Sequence, residues 1–305
     1  MDVSIIIVNF NTKALLKQCI ESVFEKTQDI EFEVIVVDNA SSDGSRQMIK
    51  EVFPKITLIE SPENLGFGRA NNLGSTKAKG RYLFFLNSDT IILNNAVKIL
   101  SDFLNDNSNV GICGGNLFDE NMQSIHSYTM LLPSILSELN AFSSGYIEKI
   151  LYKKDLCFNT TNSPKEVGYI TGADLMIRTD LFNMLNGFDS DFFLYFEETE
   201  LTYRVKKLKY KIFNVPQAKI IHLFGKSSSD SDGKIKLSLR SRRLYYKKSY
   251  NCFLNYIADG IFLLTVLSRI FFFIRKKQKY NYWKAHLVYF IDAKKEKFPV
   301  PSLSK

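Results

Sequence analysis

Three polar clusters stand immediately behind apolar runs of the chain, and their carboxylates are the groups with which this sequence could do chemistry. Asp38 follows Val34-Ile35-Val36-Val37 and opens the turn-rich segment Asn39-Ala40-Ser41-Ser42-Asp43. A carboxylate there accepts the ring imide N–H of a uracil or thymine base more strongly than a neutral acceptor does; the plainer reading is an Asx-turn or helix cap. Asn87-Ser88-Asp89 follows Leu83-Phe84-Phe85-Leu86. Its oxygens suit Mg²⁺ or Mn²⁺, with diphosphate oxygens and waters completing the set, or else Asp89 caps a helix starting near Ile91. Glu197 and Glu198 follow Phe192-Phe193-Leu194-Tyr195-Phe196. Apolar walls raise a carboxyl toward the general-base range, while the dipole of a helix starting there would favour both acids without any chemistry. His222, behind Ile220-Ile221, is a packed residue at a strand end or a ligand. His126 and His286 have no evident partner and are read as structural.

The elements that must position these groups are legible as alternating patterns. Val3–Val8, Val34–Val37, Ile56–Ile59 and Tyr82–Leu86 read as buried strands. Between them, Leu15, Leu16, Cys19, Ile20, Val23 and Phe24, then Met48, Ile49, Val52 and Phe53, recur at helical spacing, and a polar helix is expected near Arg69–Lys77. Ser42-Asp43-Gly44 is a helix-start signal for the second of these. Strand, helix, strand in this order implies right-handed crossovers and a mainly parallel sheet with helices on both faces. Ligands then sit beyond the carboxyl ends of the strands, where Asn9–Asn11, Asp38–Asp43 and Asn87–Asp89 fall. Residues 140–165 show no clear periodicity and read as an excursion.

At 305 residues, with 45% apolar and 24% charged residues, the chain can bury roughly three quarters of its unfolded surface. Disordered and low-complexity classes are excluded. The four cysteines form no C-x-x-C pair, which fits a reducing compartment. No basic segment and apolar core of signal-peptide length stand at the N-terminus, so a cytoplasmic protein is expected. Neither G-x-G-x-x-G nor G-x-x-x-x-G-K-S/T occurs, which argues against ordinary dinucleotide and P-loop sites.

Several segments together carry a resemblance. They are Ser4–Asn11, Val36–Gly44, Asn64-Leu65-Gly66-Phe67-Gly68-Arg69-Ala70-Asn71-Asn72, Leu86–Asp89, Thr171-Gly172-Ala173, Gly187-Phe188-Asp189 and Phe193–Leu201. In order and spacing, from about residue 3 to 229, they resemble family 2 glycosyltransferases, in particular bacterial rhamnosyltransferase-like members. The resemblance implies an α/β protein of the GT-A fold, a Rossmann-like mixed sheet with helices on both faces. It implies that Val8 and Phe10 line a base pocket, Asp38 binds uracil or thymine, and Arg69 lies near the phosphates of a dTDP- or UDP-sugar. Asp89 would be the last acid of a D-x-D-like motif and the main carboxylate for Mn²⁺ or Mg²⁺, with Asn87 in the first position. Glu198, or in the adjacent register Glu197, would be the general base; Gly172 and Ala173 would meet the acceptor. His222 with Gly225 and Ser227 resembles a His-x-x-Gly-x-Ser segment near the metal or diphosphate. The implied reaction is a single inverting displacement, with dTDP-L-rhamnose as the leading donor and a lipid-linked saccharide as the acceptor.

Charge divides the chain. Residues 226–305 hold 18 Lys and Arg against 5 Asp and Glu, whereas residues 1–225 hold 22 against 27. The expected organisation is a catalytic domain over 1–229, with its nucleotide-binding half over about 1–110 and its acceptor half over 111–229, and a helical segment over 230–305. Within the latter, Ile261–Ile274 is apolar and flanked by cations, while Asp259 and Arg269 each disfavour a membrane crossing by about 2.5 to 3.5 kcal/mol. Thr265, Ser268 and Arg269 share one side of the helical wheel. The expectation is an interfacial helix that brings residues 240–277 to an anionic membrane on its cytoplasmic face. The alternative is a helical hairpin packed on the catalytic domain or forming a homodimer. Nucleic acid is not an expected partner, because so apolar a segment serves no phosphate contact. Two other functions stay open: a UDP-sugar-dependent hexosyl- or N-acetylhexosaminyltransferase, and an inactive nucleotide- or carbohydrate-binding subunit.

Overall fold

The computed structural model describes residues 1–223 and 231–295. Its first half follows the alternation read from the sequence: β1 (Val3–Asn9), α1 (Lys13–Lys26), β2 (Phe32–Asp38), α2 (Ser45–Val52), β3 (Thr57–Glu60), α3 (Phe67–Ser75) and β4 (Tyr82–Asn87). Successive strand side chains point to opposite faces. Val3, Ile5, Ile7, Phe84 and Leu86 therefore enter one core, with Leu16, Cys19 and Val23 of α1. Ile6, Ile35, Leu83 and Phe85 enter the other. Helices cover both faces, which is why these strands read as continuous apolar runs.

The second half comprises β5 (Thr90–Ile92), α4 (Ala96–Asp106), β6 (Val110–Phe118), β7 (Tyr128–Thr129), α5 (Ile135–Phe142), α6 (Tyr146–Tyr152), β8 (Lys165–Glu166), β9 (Tyr169–Ile170), β10 (Asp174–Arg178), α7 (Thr179–Met184), α8 (Glu197–Lys207) and β11 (Lys211–His222). Two expectations are corrected here. No helix starts near Ile91: Thr90, Ile91 and Ile92 are all β-branched and form a strand against β11, so Asp89 is not a helix cap. The segment without clear periodicity contains the end of α5 and all of α6, a helix of seven residues, too short for a helical period to register.

The main sheet runs β3-β2-β1-β4-β10-β6-β11-β5, with β8 added on β11. β3, β2, β1 and β4 are parallel, and β10 is antiparallel to both β4 and β6. Register decides what gathers at the sheet edge. Asn9 lies opposite Asp38, and Val8 lies opposite Asn87. The turn into β10 brings Ala173 to β4, where its carbonyl accepts the Asn87 N–H at 3.0 Å. β11 pairs His222 with Thr90, next to Asp89.

The described residues form two compact units. One holds 1–132, 148–193 and 197–223; the other holds 133–147, 194–196 and the residues from 231 onward. The second is helical, with α5, α9 (Ser231–Ser249), α10 (Cys252–Phe272) and α11 (Lys277–Lys295). Its centre is ionic. Arg242 on α9 is buried and donates to Glu138 Oε1 at 2.8 Å and to Asp259 Oδ1 at 3.1 Å. Tyr246 donates to Glu138 Oε1 at 2.8 Å, and Lys294 reaches Asp259 Oδ2 at 3.2 Å. The charge that interrupts the apolar run at Asp259 is thus spent inside the unit. Arg269 likewise donates to the carbonyls of Ala141 and Phe142 at the end of α5 and to Ser144. The side of α10 with Thr265 and Arg269 therefore faces protein, not the aqueous side of an interface. α10 is 21 residues long with mean hydropathy 1.4, long and apolar enough to cross a membrane.

Removing one partner of a buried ion pair strands the others and costs about 3–5 kcal/mol. Arg242→Ala should therefore lower the denaturant midpoint of the helical unit, followed by fluorescence of Trp283, the single tryptophan. The double variant Arg242→Met, Glu138→Gln should recover much of the loss. An unchanged midpoint in Arg242→Ala would contradict the assignment.

Candidate active site

All the residues singled out above that the structure describes in the site lie in the first unit. At the β1–β2 edge, Asp38 is fully buried and hydrogen-bonded on both oxygens. Oδ2 accepts from Asn9 Nδ2 at 3.0 Å; Oδ1 accepts from the Ser41 N–H at 3.0 Å and from Arg46 Nε at 2.5 Å. Burial pushes this carboxyl up, but the bonds from Arg46, Ser41 and Asn9 outweigh it and hold Asp38 below its usual value. It is a charged acceptor fixed in place. Arg46 also donates to the Ser61 carbonyl at 2.9 Å. Ala40 (φ 68°) and Asn11 (φ 54°) hold left-handed backbone beside it, a strain that clusters at binding sites. Val8 is half-buried and Phe10 is 45% exposed at the end of β1. An apolar ring is thereby left at the mouth of a polar notch.

A hydrogen-bonded chain links this notch to the next cluster. Asn9 Oδ1 accepts from the Thr12 hydroxyl at 2.7 Å, which lies 2.9 Å from the Ser88 hydroxyl. Beyond it Asp89, 6% exposed, has Oδ1 3.2 Å from His222 Nε2, and Asn87 Nδ2 lies 3.5 Å from the same nitrogen. The Leu223 N–H fixes the Asp89 backbone by donating to its carbonyl at 2.9 Å. One carboxylate and one imidazole already in register form a donor set that fits a divalent ion, with the imidazole better suited to Mn²⁺ than to Mg²⁺. Two such donors would leave most of an octahedral shell to other oxygens; among the described residues no group of three or more His, Cys, Asp or Glu converges. Gly225 and Ser227 lie outside the described residues.

The glutamate pair opens α8. Its approach is set by Gly66, whose φ of +80° and absent Cβ are both required: a Cβ there would stand 2.1 Å from the Phe193 carbonyl oxygen, which accepts the Phe67 N–H at 3.0 Å. Asn72 holds the same segment through the N–H and carbonyl of Phe188. Arg69 is exposed and donates to the Ser190 carbonyl at 2.6 Å. Glu197 is 2% exposed, packs beside Gly68, and has a buried Oε2 without a partner among the described residues. Glu198 is half-buried, accepts from the Thr199 hydroxyl at 3.1 Å, and lies against Gly172, which Phe67 also approaches. Burial raises both carboxyls, and the charge of Glu198 raises Glu197 further. Of the two, Glu197 is the more deeply buried and Glu198 the more accessible. Ala173 is 2% exposed, so its contribution is its carbonyl on Asn87.

Arg46 escaped the sequence reading, and Asn9, Asn39 and Ser41 were placed at the strand ends without a role of their own. Asn39 Nδ2 donates to Asn64 Oδ1 and to the Gly66 carbonyl, tying the second loop to the third. Asn9 and Asn39 each adjoin a strand end, which was a usable signal. Arg46, on an amphipathic helix, looks like any solvated cation.

A glycosyl transferase family 2 profile matches residues 4–160. Over 205 residues the chain is 24% identical to the N-acetylglucosaminyl-diphospho-decaprenol L-rhamnosyltransferase of Mycobacterium tuberculosis, covering 62% of this chain and 66% of that protein, just short of two thirds of its length. It is 23% identical to the dTDP-rhamnosyl transferase RfbF of Shigella flexneri, covering 85% of each. Among solved structures, the mannosyltransferase PcManGT of Pyrobaculum calidifontis, in complex with GDP-Man and Mn²⁺, aligns with a TM-score of 0.61 at 15% identity, covering 96% of this chain and 85% of that one. The expected GT-A fold is the one observed.

Hydrogen bonds to charged groups contribute about 1.5–3 kcal/mol. Arg46→Met should therefore weaken UDP and dTDP binding about tenfold to a hundredfold by calorimetry. The wild-type carboxyl is held low, so its binding persists to acid pH; in the variant, binding should fade at a higher pH as pH falls. Unaltered affinity and pH dependence would rule out the role assigned to Arg46.

Proposed function

The chain belongs to glycosyl transferase family 2, and from that premise we propose that it transfers L-rhamnose from dTDP-L-rhamnose to a lipid-linked saccharide, inverting the anomeric centre. The observation that carries this reading is the assembly, along one sheet edge and the loops beside it, of a charged Asp38, the Asp89–His222 pair and Glu198 against Gly172. The thymine imide N–H donates to Asp38, with Val8 and Phe10 against the ring faces. Arg69 balances charge on the diphosphate. Asp89 and His222, with Asn87 beside them, would hold Mn²⁺ or Mg²⁺, which when bound supplies neutralisation of charge on the departing diphosphate.

Glu198 takes the proton of the acceptor hydroxyl as that oxygen bonds to the anomeric carbon and the carbon–diphosphate bond breaks. The proton leaves later to solvent, and no covalent sugar–enzyme intermediate forms. Glu197, neutral beside it, lets Glu198 carry the pair's negative charge. Gly172 leaves room over Glu198 for the incoming sugar. The acceptor reading puts the protein in cell-surface polysaccharide synthesis, on the cytoplasmic face of a membrane; the diphospho-decaprenol in the name of the Mycobacterium tuberculosis relative supports the lipid-linked acceptor. UDP-sugars present the same imide to Asp38, so a UDP-dependent hexosyl- or N-acetylhexosaminyltransferase is the alternative. An inactive binding subunit is disfavoured by the retained Asp38, Asp89 and Glu198.

General bases contribute about 10²–10⁴-fold. Glu198→Gln should lose transfer by that factor while still binding donor, whereas Glu197→Gln, which mimics the protonated acid, should keep most activity. A base must be deprotonated and Glu198 is raised, so kcat/KM should climb with pH along a limb lying above the ordinary glutamate range. An active Glu198→Gln enzyme, or an inert Glu197→Gln one, would reverse the register.

A further inference from the structure

On α10, Phe253, Tyr256, Leu264, Leu267 and Phe271 are all exposed. Completed by Gly260, they follow one another at steps of three or four residues, so they form one continuous stripe. At 1.5 Å per residue the stripe is about 27 Å long. The opposite side is the one turned to protein: Ala258, Thr265 and Val266 are buried, and Asp259 and Arg269 are engaged there. A helix with its apolar side outward and its charges inward has the polarity for an apolar environment. The cation excess of residues 226–305 selects among occupants. A second copy would bring that excess against itself, whereas an anionic surface complements it.

At the edge of the stripe lies a cavity of about 330 Å³, lined by Arg243, Tyr246, Lys247, Asn255, Tyr256 and Lys294. That is the size of a small-ligand pocket. Tyr256 belongs to both features, so the cavity borders the apolar face. Three cations line it against one carboxylate, Asp259, whose two oxygens already meet Arg242 and Lys294. Asn255 Oδ1 is buried without a hydrogen-bond partner among the described residues, an acceptor for a hydroxyl. Cations for a phosphate and an acceptor for a hydroxyl, beside an apolar stripe, match an anionic phospholipid with a hydroxylated headgroup.

We propose that this cavity seats a phospholipid phosphate and docks the helical unit on an anionic bilayer, with the α10 stripe among the acyl chains. α9 and α11 pack beside α10 and bear charges throughout, so the hairpin lies in the interface and does not cross it. The proposal deepens the lipid-linked acceptor reading and rests on it for its purpose: a docked enzyme meets such an acceptor by diffusion in two dimensions.

The test is sedimentation of the full chain with phosphatidylglycerol–phosphatidylcholine vesicles, without donor or acceptor, so that failure of the transfer reading does not affect it. The wild type should bind these vesicles and not pure phosphatidylcholine. A surface cation is worth about 1 kcal/mol, about fivefold in affinity, so Lys247→Ala should weaken binding by about that factor. Leu264→Glu with Phe271→Glu should abolish it. Both variants carry exposed substitutions, and an unchanged melting temperature together with unchanged donor binding verifies their folding. Equal binding by Lys247→Ala overturns the phosphate site. Inorganic phosphate that binds through Lys247 at concentrations leaving vesicle binding intact overturns the headgroup assignment. A lipid-free dimer that dissociates in the Leu264→Glu, Phe271→Glu variant, without vesicle binding, overturns the bilayer in favour of a second copy.

Discussion

The site depends on the alignment of three parallel strand ends. β1 lies between β2 and β4 in a register that sets Asn9 opposite Asp38 and Asn87 one residue back, opposite Val8. A slip of one residue would turn every side chain of a strand to the opposite face. Burial on both faces makes such a slip costly, because Ile5 and Ile7 serve one core and Ile6 the other. The same packing that stabilises the sheet therefore sets the distances at its edge. The later strands extend this frame, β10 seating Ala173 on Asn87 and β11 bringing His222 to Asp89.

On that frame, two buried carboxyl sites are driven in opposite directions. Asp38 is ringed by donors and stays charged, as a fixed acceptor must. Glu197 and Glu198 lie against Gly68 and Gly172 with few donors, and burial raises both. Similar groups in one unit are thus shifted in opposite directions by what surrounds them. The contrast rests most on Arg46, the largest of the contributions that lower Asp38, whereas Glu197 gains only a backbone hydrogen bond against its burial.

Much of this was readable in the sequence because it follows from local pattern. Apolar runs marked β1 to β4, and the residues after them were Asp38, Asn87 and Asp89. What escaped depends on three-dimensional neighbours. Arg46 sits eight residues after Asp38 on a helix whose own pattern marks it only as polar. Thr90–Ile92 was too short for periodicity to separate strand from helix. The two sides of α10 were evident, but which one meets protein depends on Glu138, Arg242 and Lys294, distant in sequence and adjacent in space. The pairing of 133–147 with the helices after 230 is likewise invisible to a linear reading.

The central claim is that a charged Asp38 at this sheet edge reads an imide N–H. Calorimetric titration of the full chain with dTDP, UDP and CDP in the presence of Mn²⁺ tests it most directly. Cytosine turns an acceptor nitrogen, not an N–H, toward that carboxylate, so dTDP and UDP should bind and CDP should be weaker by at least about tenfold, the factor that about 1.4 kcal/mol gives. Equal affinity for CDP would contradict the account.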